Sequence, residues 1–165
     1  MLTKNFYALM RTALGKTSSS IVSTGNTTEN TIFYTSNWYG VFGGMCVYNS
    51  TNGSQYVLFG NGTTPATIND YKLESPIDSG IAVANPSSTT NEQTDDYILW
   101  TVTFGVKASV ETTISEIGLI SKAHLTNGYA ETLVDRTVLD TPITIPAGQS
   151  KQITYTIRFN YGDAV

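Results

Sequence analysis

Apolar and polar residues alternate most clearly between residues 97 and 107. One face carries large apolar side chains and the other mostly threonine and lysine: Ile98, Trp100, Val102, Phe104 and Val106 alternate with Leu99, Thr101, Thr103, Gly105 and Lys107. This period of two predicts a half-buried antiparallel strand. The same period recurs over residues 152–159, and weaker patterns predict strands at 32–36, 39–48, 55–59, 114–120, 129–134 and 136–139.

Groups of asparagine, glycine and proline separate these segments, and they are typical of turns. Evenly spaced strands with almost no helix between them predict an all-β fold, an antiparallel β-sandwich of the jelly-roll-like kind. The long polar segment at residues 85–96 predicts a mobile loop.

Residues 1–30 follow a different pattern. A period of 3.6 predicts a short helix over residues 4–14, whose apolar face consists of Phe6, Leu9, Met10, Ala13 and Leu14. A helix this short is marginal alone, so its face must dock either on its own domain or on a neighbouring subunit. We therefore divide the chain into an arm, residues 1–30, and a β-sandwich domain, residues 31–165. The apolar face of the arm is a candidate partner-binding surface.

The composition excludes several classes of protein. The chain has 165 residues and a net charge of −4, with only 13% charged residues, and it contains 26 Thr, 15 Ser and 12 Asn. A sequence-blind nucleic-acid binder needs a basic face, so we expect no direct contact with nucleic acid. No apolar run approaches the roughly 20 residues of a membrane helix, and we expect no membrane contact.

Candidate catalytic chemistry is sparse. His124 is the only histidine and Cys46 the only cysteine, which argues against a zinc site and leaves a nucleophile and base pair without local support. Asp70 and Glu74 straddle Lys72 at a spacing that suits surface salt bridges as well as catalysis. We predict no catalytic residue, no cofactor and no bound metal ion.

The aromatic residues near position 38 leave two alternatives open. Trp38 and Tyr39 either fill the core or form an exposed platform that stacks on sugar rings or anchors a protein interface. The second alternative would make the chain a carbohydrate-binding module of a fibre or adhesin.

Several segments, taken in order, resemble a known group of proteins. They read FGNGTTPATINDYKL and ESPI over residues 59–77, ISEIGL over 114–119, DRTVL over 135–139, PITIPAGQ over 142–149 and ITYTIRF over 153–159. This order resembles small structural proteins of tailed bacteriophages and modules of phage fibre and collar proteins.

The resemblance implies a non-enzymatic component of the virion, which is a head-decoration, head-fibre, connector or tail subunit made in the bacterial host cytoplasm. Its implied partners are capsid, portal or tail proteins and further copies of the chain, because such proteins usually form symmetric oligomers. The resemblance implies no active site.

The same segments have physical interpretations of their own. Gly60 and Gly62 suit a tight turn, and Asp70 suits the cap of a turn with Leu73 buried beside it. Gly118 lets a strand bend, and residues 146–148 suit a turn into the last strand. Arg136, on an otherwise uncharged strand, is predicted to pair with a carboxylate such as that of Glu116.

Overall fold

The structure is a computed structural model that describes residues 1–15, 20–30, 57–84, 88–125 and 128–160. These residues form one helix and nine strands: α1 (Lys4–Gly15), β1 (Ser20–Val22), β2 (Thr28–Asn30), β3 (Val57–Gly60), β4 (Ile81–Val83), β5 (Ser88–Gln93), β6 (Tyr97–Ala108), β7 (Thr112–Leu125), β8 (Gly128–Ile145) and β9 (Ser150–Asn160). The described chain is therefore mostly β-strand in antiparallel sheets with a single short helix, as an all-β fold requires. Within the described residues, the helix is too short and too polar to cross a lipid bilayer.

The chain divides into two compact units. The first contains Met1–Asp78 and Thr113–Thr144, and the second contains Ser79–Thr112 and Ile145–Val165. The predicted division at residue 30 stays a prediction.

The first unit is built on a three-stranded sheet in the order β3-β7-β8. A separate antiparallel hairpin of β1 and β2 pairs Ile21 with Glu29. The core of this unit consists of buried apolar side chains from the helix, the hairpin, both faces of the sheet and the loop after β3. They are Phe6, Leu9, Ile21, Val57, Phe59, Leu73, Ile114, Ile117, Leu119, Ile120, Leu133 and Val134.

The second unit is organised around β6. Strand β9 pairs with β6 along residues 97–107, while β5 pairs with residues 98–103 and β4 with residues 106–108. Trp100 pairs with both β9 and β5, so these two strands lie on opposite edges of β6. Strand β4 pairs with the same edge of β6 as β5, nearer its C-terminal end. The buried face carries Val102, Phe104, Val106, Ala108, Ile153, Tyr155 and Ile157.

The outer face of this second sheet is uncharged at its centre. The hydroxyl oxygens of Thr101 and Thr156 lie 3.2 Å apart, and those of Thr103 and Thr154 lie 3.0 Å apart. Cross-strand threonine pairs of this kind stabilise a sheet without any charge. The alternation predicted at 97–107 and 152–159 is thus confirmed.

Two predictions about the strands are wrong. Residues 88–93, within the predicted mobile loop, form β5, because the backbone of a polar segment can pair at a sheet edge without apolar side chains. The two strands predicted at 129–134 and 136–139 are one strand, β8. Asp135 does not interrupt it, because its carboxylate lies 3.2 Å from the amino group of Met1 and Leu2 pairs opposite it.

The short strands β1, β2 and β4 were not predicted, since three residues are too few to establish a period. The strands predicted at 32–36 and 39–48 lie outside the described residues.

Candidate functional site

A loop that we call the strap, residues 61–75, leaves β3 and returns beside it. Gly60 and Pro76 form an antiparallel bridge. The N–H of Asn61 donates to the Ser75 carbonyl at 2.9 Å, and the N–H of Ile77 donates to the Phe59 carbonyl at 2.9 Å. The two ends of the strap are thereby held together, as in an Ω-loop.

Glu116 on β7 holds the strap from beneath. Its side chain is fully buried. Its carboxylate accepts backbone hydrogen bonds from Gly62 at 3.2 Å, from Glu74 at 3.2 Å and from Ser75 at 2.8 Å. One buried side chain therefore binds both the beginning and the end of the strap, and it satisfies N–H groups that would otherwise lack a partner.

Arg136 on β8 completes what we call the charge cluster, which consists of Asp70, Glu74, Glu116 and Arg136. The Arg136 Nε donates to Glu116 at 2.8 Å and the Nη1 donates to Asp70 at 2.8 Å. The Nη2 donates to the Thr64 carbonyl at 3.2 Å and lies 3.5 Å from the Glu74 carboxylate. The predicted pairing of Arg136 with Glu116 is confirmed.

The spacing of Asp70 and Glu74 around Lys72 suits surface salt bridges, but their ion pairs are made with another residue. Both carboxylates pair with Arg136, which reaches the strap from the buried side and is only 3% exposed. The Lys72 ammonium instead lies 5.9 Å from the centre of the neighbouring Tyr71 ring.

Hydrogen bonds shift the pKa values of three members of the cluster, Asp70, Glu74 and Arg136. Burial alone would raise the pKa of Asp70, but hydrogen bonds from Thr67 and Arg136 outweigh it and lower that pKa below its ordinary value. The hydroxyl and N–H of Thr64 lower the pKa of Glu74 in the same way. Burial would lower the pKa of Arg136, but its bonds to Asp70 and Glu116 raise it. The carboxylates of Asp70 and Glu74 and the guanidinium are therefore charged at neutral pH.

The glycines of the strap are needed for space rather than for backbone angles. Among the described glycines only Gly80 and Gly148 have positive φ. A Cβ on Gly60 would lie 2.6 Å from the Ser75 carbonyl oxygen, and one on Gly62 would lie 2.7 Å from the Glu116 carboxylate. The expectation that Gly60 and Gly62 provide turn angles is corrected accordingly, because the close approach of Glu116 excludes a side chain.

The strap is also fastened by an apolar contact. Leu73 is 1% exposed, as predicted. A Cβ on Gly118 would lie 2.8 Å from Leu73 Cδ2 and 2.7 Å from Leu133 Cδ1. Gly118 therefore leaves the space in which these two leucine side chains lie, a role that the predicted strand bend did not include.

The arm docks on the same unit. Phe6 and Leu9 are buried and Met10 is half-buried, while Ala13 and Leu14 lie in α1 with side chains outside the described set. The burial of Phe6 and Leu9 favours the alternative in which the helix packs on its own domain. Their proposed role in binding a partner stays a prediction.

The other candidate residues are not described at this site. Trp38, Tyr39 and Cys46 lie outside the described residues, and only the backbone of His124 is described, on β7. The carbohydrate-binding alternative, which depends on Trp38 and Tyr39, stays a prediction.

Two open cavities lie beside the charge cluster. One, of about 290 Å³, is lined by the strap and includes Asp70, Glu74 and Arg136. The other, of about 370 Å³, is lined by Arg136, Met1 and Asp140 among other residues. In the described part of the chain, no three potential ligand side chains are placed to hold a metal ion. Asp70, Glu74 and Arg136 all make hydrogen bonds to residues of the strap, so the arrangement fixes a surface loop in one conformation.

The sequence predicts the pair of Arg136 and Glu116, and Asp70 separately, but not the strap that joins them. Comparison of the chain with protein-family models, curated proteins and solved structures gives no match.

Proposed function

We propose that the chain is a non-enzymatic structural protein of a bacteriophage particle, a capsid-decoration, head-fibre, connector or tail subunit that acts by protein–protein assembly. Its fold is a β-sandwich, and its partners are other virion proteins and further copies of itself. The order of the phage-like segments along the chain is the reason for naming this class.

One structural observation supports the proposal: Glu116 and Arg136 of the charge cluster bond to groups of their own unit. Glu116 accepts three backbone N–H groups and one guanidinium N–H, and Arg136 bonds to four oxygen-bearing groups of the same unit. The Glu116 carboxylate is therefore engaged in holding the strap of its own unit. The same bonds fix a surface loop, which suits a rigid docking surface.

Mass spectrometry of purified phage particles tests the proposal. We expect the chain to copurify with the particles in constant ratio to the major capsid protein through density-gradient centrifugation. Particles that lack the chain while the lysate contains it would contradict the proposal. So would turnover of a small substrate by the purified protein that is lost in Glu116→Gln and kept in Glu131→Gln, a matched change at an exposed residue.

A further inference from the structure

The strap begins with an asparagine that is followed by a glycine. Asn61 is exposed and Gly62 is buried. Asparagine is among the chemically labile residues of proteins, and before glycine it is most exposed to attack by the next backbone nitrogen, because glycine has no Cβ to obstruct the approach. Asn61 is therefore a candidate for loss of its side-chain amide.

The reaction needs only water. The Gly62 nitrogen bonds to Asn61 Cγ while the Cγ–Nδ2 bond breaks, and the proton of the Gly62 N–H ends on the departing ammonia. Water then opens the five-membered imide that results. Attack at Cγ gives aspartate, and attack at the backbone carbonyl carbon of Asn61 gives isoaspartate, whose main chain is one carbon longer. Either product adds a negative charge at residue 61.

The fold requires the glycine that makes this pair labile. A Cβ on Gly62 would lie 2.6 Å from the carboxylate of Glu74 and 2.7 Å from that of Glu116. A residue whose side chain would slow the attack is thereby excluded from position 62. The strap must limit the reaction in another way.

The anchoring of the strap holds the attacking nitrogen. The N–H of Gly62 donates to the Glu116 carboxylate at 3.2 Å, and Glu116 has no exposed surface. One residue earlier, the N–H of Asn61 donates to the Ser75 carbonyl at 2.9 Å. Attack on Asn61 Cγ requires the Gly62 nitrogen to lose the proton that binds it to Glu116, so the reaction breaks a hydrogen bond to a charged, buried acceptor.

We propose that Asn61 is a site of deamidation, which Glu116 keeps unreactive for as long as the strap is anchored. Local opening of the strap frees the Gly62 N–H and starts the reaction. The product returns poorly to its place, because a new carboxylate then precedes a glycine that lies against Glu74 and Glu116. Each opening that leads to reaction is thus recorded as a permanent chemical change. This inference goes beyond the proposed function and does not depend on it.

Peptide mapping by mass spectrometry measures the reaction, because replacing the amide by a carboxylate changes the mass of the peptide. The folded chain and the chain unfolded in urea are incubated at the same mildly alkaline pH. In urea, we expect Asn61 to react at a rate comparable to those of Asn52 and Asn127, which also precede glycine. In the folded chain, we expect Asn61 to react about tenfold more slowly or less. Equal rates at Asn61 in the two states would overturn the inference.

Two variants test the part played by Glu116 itself. Glu116→Gln removes the charge that accepts the Gly62 N–H, and Glu116→Asp keeps a charge beside Arg136 but is one methylene shorter. Each is measured where circular dichroism shows that it is folded. We expect Glu116→Gln to raise the rate at Asn61 about tenfold, and Glu116→Asp to change it in the same direction. Glu131→Gln, at an exposed residue, is the matched control and should leave the rate unchanged.

The direction of the change decides between two roles for Glu116. A slower reaction in a folded Glu116 variant would overturn the inference, because Glu116 would then promote the attack by accepting the proton. An unchanged rate in a folded Glu116 variant, or an equal increase in Glu131→Gln, would also overturn it. None of these results bears on whether the chain is found in phage particles.

Discussion

The pairing of Glu116 with Arg136 predicts a strong coupling between these two residues. Glu116→Gln keeps the shape of the side chain but removes its charge, and Arg136→Met keeps the apolar stem and removes the guanidinium. The first change leaves Arg136 buried with only Asp70 and Glu74 as anionic partners. The second leaves the fully buried carboxylate of Glu116 without its cation.

The structure fixes the expected size of the effects. Breaking a buried ion pair by removing one partner costs about 3–5 kcal/mol. Glu116 also loses part of its bonding to Gly62, Glu74 and Ser75, where bonds to a charged acceptor are worth about 1.5–3 kcal/mol each. We expect each single variant to lose about 3–5 kcal/mol, and the double variant to lose about 2 kcal/mol less than the sum.

Urea unfolding followed by circular dichroism measures these free energies. With a slope of about 2 kcal/mol per molar urea, a loss of 3 kcal/mol lowers the midpoint by about 1.5 M. Glu131→Gln, on the exposed side of β8, is the control and should change stability by less than about 0.5 kcal/mol. Single losses below about 1 kcal/mol, or losses that add within about 0.5 kcal/mol, would refute the interpretation of the cluster as a buried, coupled unit.

Three further changes test other features of the two units. The pKa of Asp70 is lower in the folded chain, so ionised Asp70 contributes to stability above the pKa of the unfolded chain, and this contribution is lost on acidification. We therefore expect the free energy of unfolding to fall below about pH 5. Urea titrations of Asp70→Asn should show a smaller decline over the same pH range. Gly118→Ala places a Cβ 2.7 Å from a leucine methyl group and should cost about 1–3 kcal/mol; Gly25→Ala, whose nearest atom would lie 3.7 Å away, should cost less than 1 kcal/mol, and equal thermal shifts would contradict this. Gly148→Ala meets no atom within 4 Å but has a φ of +76°; it should cost about 1 kcal/mol, and an unchanged melting temperature would contradict it.

Some of this architecture is readable from the sequence because it depends on local pattern. The alternation at 97–107 predicts β6, and residues 146–148 predict the turn into β9, where the Gln149 N–H donates to the Pro146 carbonyl. Arg136 in the segment RTVL, residues 136–139, which holds no other charge, also predicts a carboxylate partner, because a buried charge needs one.

Other features depend on distant residues and left no local pattern. The strap exists because Glu116 lies beneath it on β7, and nothing in residues 61–75 alone identifies that anchor. Strand β5 carries no apolar period, since it is held by the backbone of β6. The bridge between Leu2 and Asp135 joins residues more than a hundred positions apart, so it forms only when residues 1–3 meet β8.

The threonine pairs on the outer face of β6 and β9 have a consequence for the conditions that the second unit tolerates. Hydroxyl groups that bond to one another carry no net charge, and dissolved ions screen only charged interactions. These hydrogen bonds should therefore have the same strength at low and at high salt concentration. The two threonine pairs of the second unit should therefore persist when the ionic strength of the solution changes abruptly.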